Sequence, residues 1–423
     1  MQYPEGISDS LCSGDGGGLI MSVAGLLSKE PVNTGRQKEI DLIKAFSIIM
    51  MIITHCIEEL YNYEGNLPSE IIIDVLNETI GASAFMICMG IGIAYARKMD
   101  PGTFFKRGIS LLIVGQVLNL FRYAVPNVID YLFTGNEVSR KTVFLVFSVD
   151  IMQFAGWTFL LFALLKRLHF NETMIFIVAI ALNIIGMFLT LNVDTGNYAV
   201  NQALGNFIFT ESESYFPLFN WFIYPAFGLL FGTILKRVND KKRFYLCLII
   251  PTGIITAVYY VVGLCVDQPV FVTFQDPINY NAVGIFDAMM QLFAVVCLIS
   301  LAFFITQTFS QKVMVPVNFI STNINRFYCT QWVIIGCCSV VFVYWFDPFP
   351  FDSAILCYLT ALAVIVATWI IVYLYVKYLA GPTDKFIAKT KYVWYVIVVV
   401  LSVILCKWAF IGLPMPNLFN DYL

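Results

Sequence analysis

Charge is scarce in this 423-residue chain. Asp, Glu, Lys and Arg make up 13% of it, about half of the ~25% usual in soluble domains. Histidine is scarcer still, with two residues in all, and the eleven cysteines stand at no metal-ligand spacing and form no disulfide framework. A charge-solvated soluble globule and a disulfide scaffold are therefore excluded, and no metal is expected. Ten of the cysteines fall inside apolar stretches, where they read as small packing residues. No filter-like motif stands out, which argues against a channel. No internal repeat is visible of the kind many transporters carry. Residues 1–35 are Gly/Ser-rich and polar, without the charged start and apolar core of a cleavable signal peptide. A disordered segment is expected there, with translation from Met21 as an alternative to Met1.

What the chain has instead is apolar length. Hydrophobic residues make up 59% of it and mean hydropathy is +0.79. The apolar content comes in blocks of about 20 residues, the length an α-helix needs to cross a ~30 Å hydrocarbon core. Eleven spans are expected: 40–60, 71–96, 108–125, 143–165, 172–191, 217–235, 244–266, 283–306, 319–345, 353–376 and 392–411. The fold class is an all-α polytopic membrane bundle, with residues 36–411 as one transmembrane domain and 412–423 as a short tail. Twenty of the 25 basic residues fall on one set of loops, which places the N-terminus in the cytoplasm. Among them are Arg97, Lys98, Lys106 and Arg107 between spans two and three, and Lys236 and Arg237 after span six.

Ionisable groups inside such spans are costly and point to function. The first span, "EIDLIKAFSIIMMIITHCIEEL", carries His55 fifteen residues in, roughly 22 Å from the cytoplasmic edge. Glu58 and Glu59 follow at i+3 and i+4 on the same face. At similar depth lie Asn77 and Glu78 on span two, and Gln116, Asn119 and Arg122 on span three. Asp150 and Gln153 follow on span four, with Asn325, Arg326, Tyr328 and Gln331 on span nine. Their shared depth predicts one polar cluster around His55, either a site or a network that only joins helices. His169, in "KRLHF", reads as a solvated loop residue. The outer loops 126–142, 192–216 and 267–282 carry aromatics, including Tyr131, Tyr198, Tyr215, Phe271 and Tyr280. These suit sugar stacking or an interfacial belt.

Several segments together carry a family resemblance. "RQKEIDLIKAFSIIMMIITHC" resembles the first helix of bacterial integral-membrane acyltransferases, which ends in histidine. "GASAFMICMGIGIAYARK", "DIMQFAGWTFLLFALL" and "YFPLFNWFIYPAFGLLFGTIL" are similar to their later helices. The chain resembles the heparan-α-glucosaminide N-acetyltransferase catalytic-domain-like family, and more loosely acyltransferase family 3. The likeness runs over about 36–237 and is diffuse beyond, apart from "INRFYCTQWVII"; Lys44 stands where arginine is common.

The resemblance implies transfer of an acyl group, usually acetyl, from cytosolic acyl-CoA to an extracytoplasmic acceptor. O-acetylation of a glycan or glycolipid, or acylation of an amino sugar, is expected. On this reading His55 is the base or an acyl relay, with Asp150, Glu58 or Glu78 orienting it and Arg122 or Arg326 stabilising the oxyanion. Arg97, Lys98, Lys106, Arg107, Lys236 and Arg237 hold the donor's phosphates. Glu58, Asn119, Gln153, Trp221, Arg326, Tyr328 and Gln331 are the substrate-binding candidates. The expected setting is the plasma membrane of a bacterium, with lipids and the acceptor as partners and no nucleic acid. The rival reading is a multi-pass transporter or flippase with a His/Asp/Arg intramembrane site.

Overall fold

Backbone in hydrocarbon has no water to bond, so apolar blocks of this length close their hydrogen bonds within the segment. The computed structural model describes residues 26–192, 195–196, 198–210, 214–265, 280–346 and 348–411. Within them the chain is all-α, and the only extended pairings are three isolated bridges. The first helices are α1 Lys38–Leu60, α2 Leu67–Glu70, α3 Ala82–Ala94, α4 Pro101–Asn119, α5 Val125–Thr134 and α6 Glu137–Thr142. Next come α7 Ile151–Arg167, α8 Glu172–Asn192, α9 Tyr198–Leu204, α10 Leu218–Trp221, α11 Ile223–Leu235 and α12 Lys241–Cys265. The last are α13 Ile285–Thr308, α14 Gln311–Thr322, α15 Ile324–Trp345, α16 Ala354–Tyr378 and α17 Ala380–Ala409.

Nine stretches among the described residues are long and apolar enough to cross a membrane, and the protein is a polytopic membrane bundle. They coincide with nine of the eleven expected spans. The other two are helical but irregular. The second begins as a π-helix, Ile71–Gly81, and runs on as α3. The fourth opens with a 3-10 turn, Val143–Phe147, and becomes α-helical only at Ile151. Asp150 and Gln153 form a capping box there that starts α7.

Three boundaries differ from the sequence expectation. The third span, expected to stop at 125 before a loop over 126–142, continues as one 34-residue helical stretch to Thr134. Pro126 sits in the first turn of α5, just after a π turn at Leu120–Ala124 that absorbs its missing N–H. α6 then occupies most of the remaining loop. The expected ninth span, 319–345, divides at Asn323 into α14 and α15. Of the expected disordered segment 1–35, residues from 26 on are described, and they follow the turn between α11 and α12. The Ser28 and Val32 N–H groups donate to the Arg237 and Lys236 carbonyls at 2.7 and 2.8 Å. Residues 1–25, Phe271 and the tail 412–423 lie outside the described residues.

Glycines set the closest helix crossings. A Cβ on Gly90 of α3 would stand 2.1 Å from the Pro225 carbonyl oxygen, and one on Gly228 of α11 would stand 2.1 Å from that of Ile87. Gly108 of α4 and Gly156 of α7 face each other in the same way. Without a hydrophobic drive between helices in lipid, such backbone-to-backbone packing supplies much of the association. Of these four helices α3 packs directly on α1, whose far end carries His55.

The bundle has two unlike ends. Where α1 begins, Lys236 donates to the Ala94 carbonyl and Lys241 to Glu39 and Gln37, so the α3–α4 and α11–α12 turns meet there. Where α1 finishes, Tyr61 pairs with Phe351 and Val149 with Ser214. Gly228→Leu should unfold at markedly lower temperature in a detergent melt, since overpacking costs about 1–3 kcal/mol or more. Gly381→Ala, with nothing within 4 Å of the added carbon, should melt as the parent does.

Candidate active site

The end of α1 opens on a cavity of about 360 Å³. Its wall includes His55, Glu58, Glu59, Asn77, Arg122, Asp150, Tyr215, Tyr328 and Trp332. Six separate segments deliver these groups. His55, Glu58 and Glu59 come from the last two turns of α1. Arg122 comes from the π turn, Asp150 from the N-cap of α7, and Tyr328 and Trp332 from successive turns of α15.

Asp150 and Arg122 form the buried centre, with both side chains about 5% exposed and an N···O distance of 2.9 Å. Asp150 is fully engaged. Its second oxygen accepts from the Tyr328 hydroxyl at 2.7 Å and from the Ile151 N–H at 2.6 Å. Arg122 also reaches Glu59 at 3.3 Å, and its guanidinium lies 3.0 Å from the centre of the Trp332 ring and 4.3 Å from that of Tyr123. Gly336 of α15 backs this arrangement, since a Cβ there would fall 2.5 Å from the Arg122 carbonyl oxygen.

The imidazole of His55 rests on the same indole, with ring centres 3.9 Å apart, and its Nδ1 stands 3.3 Å from a Glu58 oxygen. Trp332 is thus a shared surface between imidazole and guanidinium. With Nδ1 turned to Glu58, Nε2 is the nitrogen left for proton transfer. Three carboxylates (Glu58, Glu59, Asp150) and one guanidinium line the cavity around the imidazole. Glu58 and Glu59 are 39% and 38% exposed, which leaves them open to a ligand.

The other candidates from the sequence fall into three groups. Asn119 and Gln153 lie beside the site but line no part of the cavity. Asn119 donates to the Val146 and Ser148 carbonyls, and Gln153 closes the α7 cap. Trp221 is fully buried among Phe216 and Tyr224 and donates to the Asn281 carbonyl. Gln331 is wholly buried one residue before Trp332, and both ends of its amide are without a protein partner. Arg326 stands apart. α15 begins at Ile324, at the basic end, and Arg326 donates there to Asn323 and Asp384 instead of reaching mid-depth. Arg97, Lys98, Lys106, Arg107 and Arg237 are exposed at that same end, while Lys236 is half-buried and committed to Ala94. Among the described residues no cluster of three His, Cys, Asp or Glu side chains could hold a metal. His169 is exposed in its loop, with a left-handed φ of 61°.

Trp332, Phe216 and Asn281 line the cavity without having been singled out from the sequence. Trp332 carried one usable signal, its i+4 spacing from Tyr328, which puts the two on one helix face.

A polar, charge-bearing cavity thus opens at one end of a polytopic membrane bundle. The family model for the heparan-alpha-glucosaminide N-acetyltransferase catalytic region matches residues 36–265, more than half of the chain, and the chain belongs to that family. By family it is an acetyltransferase, and enzymes of this kind use acetyl-CoA as donor in general. The match runs past 237 to include α12. The looser likeness to acyltransferase family 3 is not shown. No curated protein and no solved structure matches the chain.

Removing Arg122 leaves Asp150 as an unpaired buried carboxylate. Arg122→Leu should therefore cost about 3–5 kcal/mol, read as a lowered melting temperature in detergent. Arg122→Leu combined with Asp150→Leu should recover part of that loss. Glu59→Gln, at a half-open carboxylate, should leave the melt within experimental error.

Proposed function

We propose that the protein moves an acetyl group from cytosolic acetyl-CoA to a hydroxyl or amine of a glycan or amino sugar on the other side of the membrane. The observation that carries this reading is His55, paired with Glu58, in the wall of a cavity at the end of α1, within a chain of this acetyltransferase family.

The acceptor O–H or N–H attacks the thioester carbonyl. Its proton passes to Nε2 of His55 while the new C–O or C–N bond forms. The C–S bond then breaks, and the imidazolium returns the proton to the departing thiolate. Glu58 fixes the tautomer and supports the imidazolium, a role that falls to a buried carboxylate in hydrolytic triads. Asp150 is fully occupied by Arg122, Tyr328 and its own helix, so in this reading it positions Arg122. Arg122, fixed beside the imidazole, stabilises the oxyanion. An acetyl-His55 relay uses the same groups in two steps.

Electrostatics support opposite routes for the two substrates. Coenzyme A carries several phosphate charges, and the cavity at the His55 end holds an excess of carboxylates. The exposed Arg97, Lys98, Lys106, Arg107 and Arg237 lie where α1 begins, and phosphate suits guanidinium well. This arrangement supports a cytoplasmic N-terminus, with the thioester reaching His55 from the basic side.

Sealed inverted vesicles given acetyl-labelled acetyl-CoA test the reading, with label on envelope glycans followed by mass spectrometry. His55→Ala should lower transfer about 10²–10⁴-fold while keeping the parent's melting temperature. Glu58→Gln should lower it less. Label crossing the membrane without attachment to any glycan would return the transporter reading.

A further inference from the structure

Asn77 lines the catalytic cavity and has no part in the chemistry above. Its side chain is half-buried, and among the described residues its amide has no hydrogen-bond partner. The charged groups around it are committed. His55 and Glu58 face each other, Glu59 and Asp150 take the Arg122 guanidinium, and Tyr328 donates to Asp150. The Trp332 indole N–H also lacks a partner, but it is buried out of a ligand's reach. A free side-chain amide offers two N–H donors and a carbonyl acceptor to whatever enters the cavity.

The backbone builds this placement. Asn77 belongs to the 11-residue π-helix Ile71–Gly81, a form that is rare, mostly a single turn long, and frequent at functional sites. Gly81 stands four residues on, at the joint with α3. A Cβ on Gly81 would lean toward the preceding turn and fall 2.5 Å from Asn77 Oδ1 and 3.3 Å from its Cγ. The three nearest contacts that carbon would meet all belong to the Asn77 side chain. The φ of Gly81 is −61°, so no left-handed backbone calls for glycine there. What the missing side chain provides is room for the Asn77 amide.

Attack on the thioester puts negative charge on its carbonyl oxygen, and donors fixed in advance stabilise that charge. Arg122 is one such donor, but two carboxylates already share it, at 2.9 and 3.3 Å, and its guanidinium lies against Trp332. It also stands in the wall of a second cavity, of about 390 Å³, which Asn127 lines as well. A neutral amide has no counter-charge to share. We propose that the Asn77 amide is a second oxyanion donor, joining Arg122, and that Gly81 is the positioning residue that leaves the amide its place. The amide keeps its protons throughout: it donates to the oxygen as the C–O or C–N bond forms and releases it as the C–S bond breaks. The assignment rests on the acetyltransferase reading and adds a catalytic residue to it.

The test uses the full chain in the sealed inverted vesicles described above, with acetyl-labelled acetyl-CoA and the acceptors of the envelope itself. Asn77→Ala should lower the rate at saturating acetyl-CoA about 10²–10³-fold. The KM for acetyl-CoA should change less than about threefold, as expected where an interaction is made only in the transition state, and the detergent melt should match the parent's. Asn77→Asp keeps the shape and an acceptor oxygen but loses the N–H, so it should fall at least as far. Gly81→Ala, which displaces the amide, should lower the rate about tenfold or more. In an Asn77→Ala background it should add nothing, because its methyl acts through Asn77. The proposal is overturned if Asn77→Asp transfers at the parent's rate, if Asn77→Ala acts only through KM or melting, or if the Gly81→Ala and Asn77→Ala losses multiply. Failure of the acetyltransferase reading shows separately, as a parent that transfers no label to any acceptor.

Discussion

The buried pair of Arg122 and Asp150 is the constraint on which the rest of the site depends. A charge pair at membrane depth is costly, and apolar residues of like volume would often give a more stable protein. Here the pair is kept by complete solvation from protein groups. Asp150 receives the guanidinium, the Tyr328 hydroxyl and the first N–H of its own helix. Arg122 receives Asp150, Glu59 and two aromatic rings. These contacts join α1, the α4–α5 stretch, α7 and α15 at one point. Trp332 converts that fixed point into a fixed imidazole, because the indole that meets the guanidinium also supports His55.

The site's charge then follows from position. Glu58 and Glu59 extend α1 beyond the pair toward the open end, and nothing cationic among the groups lining the first cavity balances them except Arg122. The opposite end gathers the lysines and arginines of two turns. An anionic and a cationic ligand are thus favoured at different ends of one bundle.

The helical architecture was legible in the sequence because length and hydropathy decide it. All eleven expected spans correspond to helical segments, and the two irregular ones carry the polar residues that disturb them. His55, Glu58, Arg122, Asp150 and Tyr328 were legible as well, through depth alone: polar groups at one level of a bundle tend to meet. Depth could not give direction around the axis. Asn119 and Gln153 share the level and turn instead to backbone carbonyls and a helix cap. Arg326 was misplaced because the break at Asn323, which starts α15 late, leaves no apolar gap in the sequence. Trp332 was invisible by the same criterion, since an apolar ring in an apolar span gives no contrast.

The second cavity shows why a helical wheel fails where function concentrates. Arg122 and Asn127 are five residues apart, roughly 140° around a regular α-helix, so they read as belonging to different faces. Both line one cavity. The π turn at Leu120–Ala124 packs more residues into each turn and so takes up part of that angle. Pro126 removes the N–H that a regular helix would aim at the Arg122 carbonyl, the same backbone group against which Gly336 packs. A proline, a wide turn and a glycine on the neighbouring helix act together to set where Arg122 points. None of the three carries chemistry, yet without them the guanidinium would not stand where the two cavities meet.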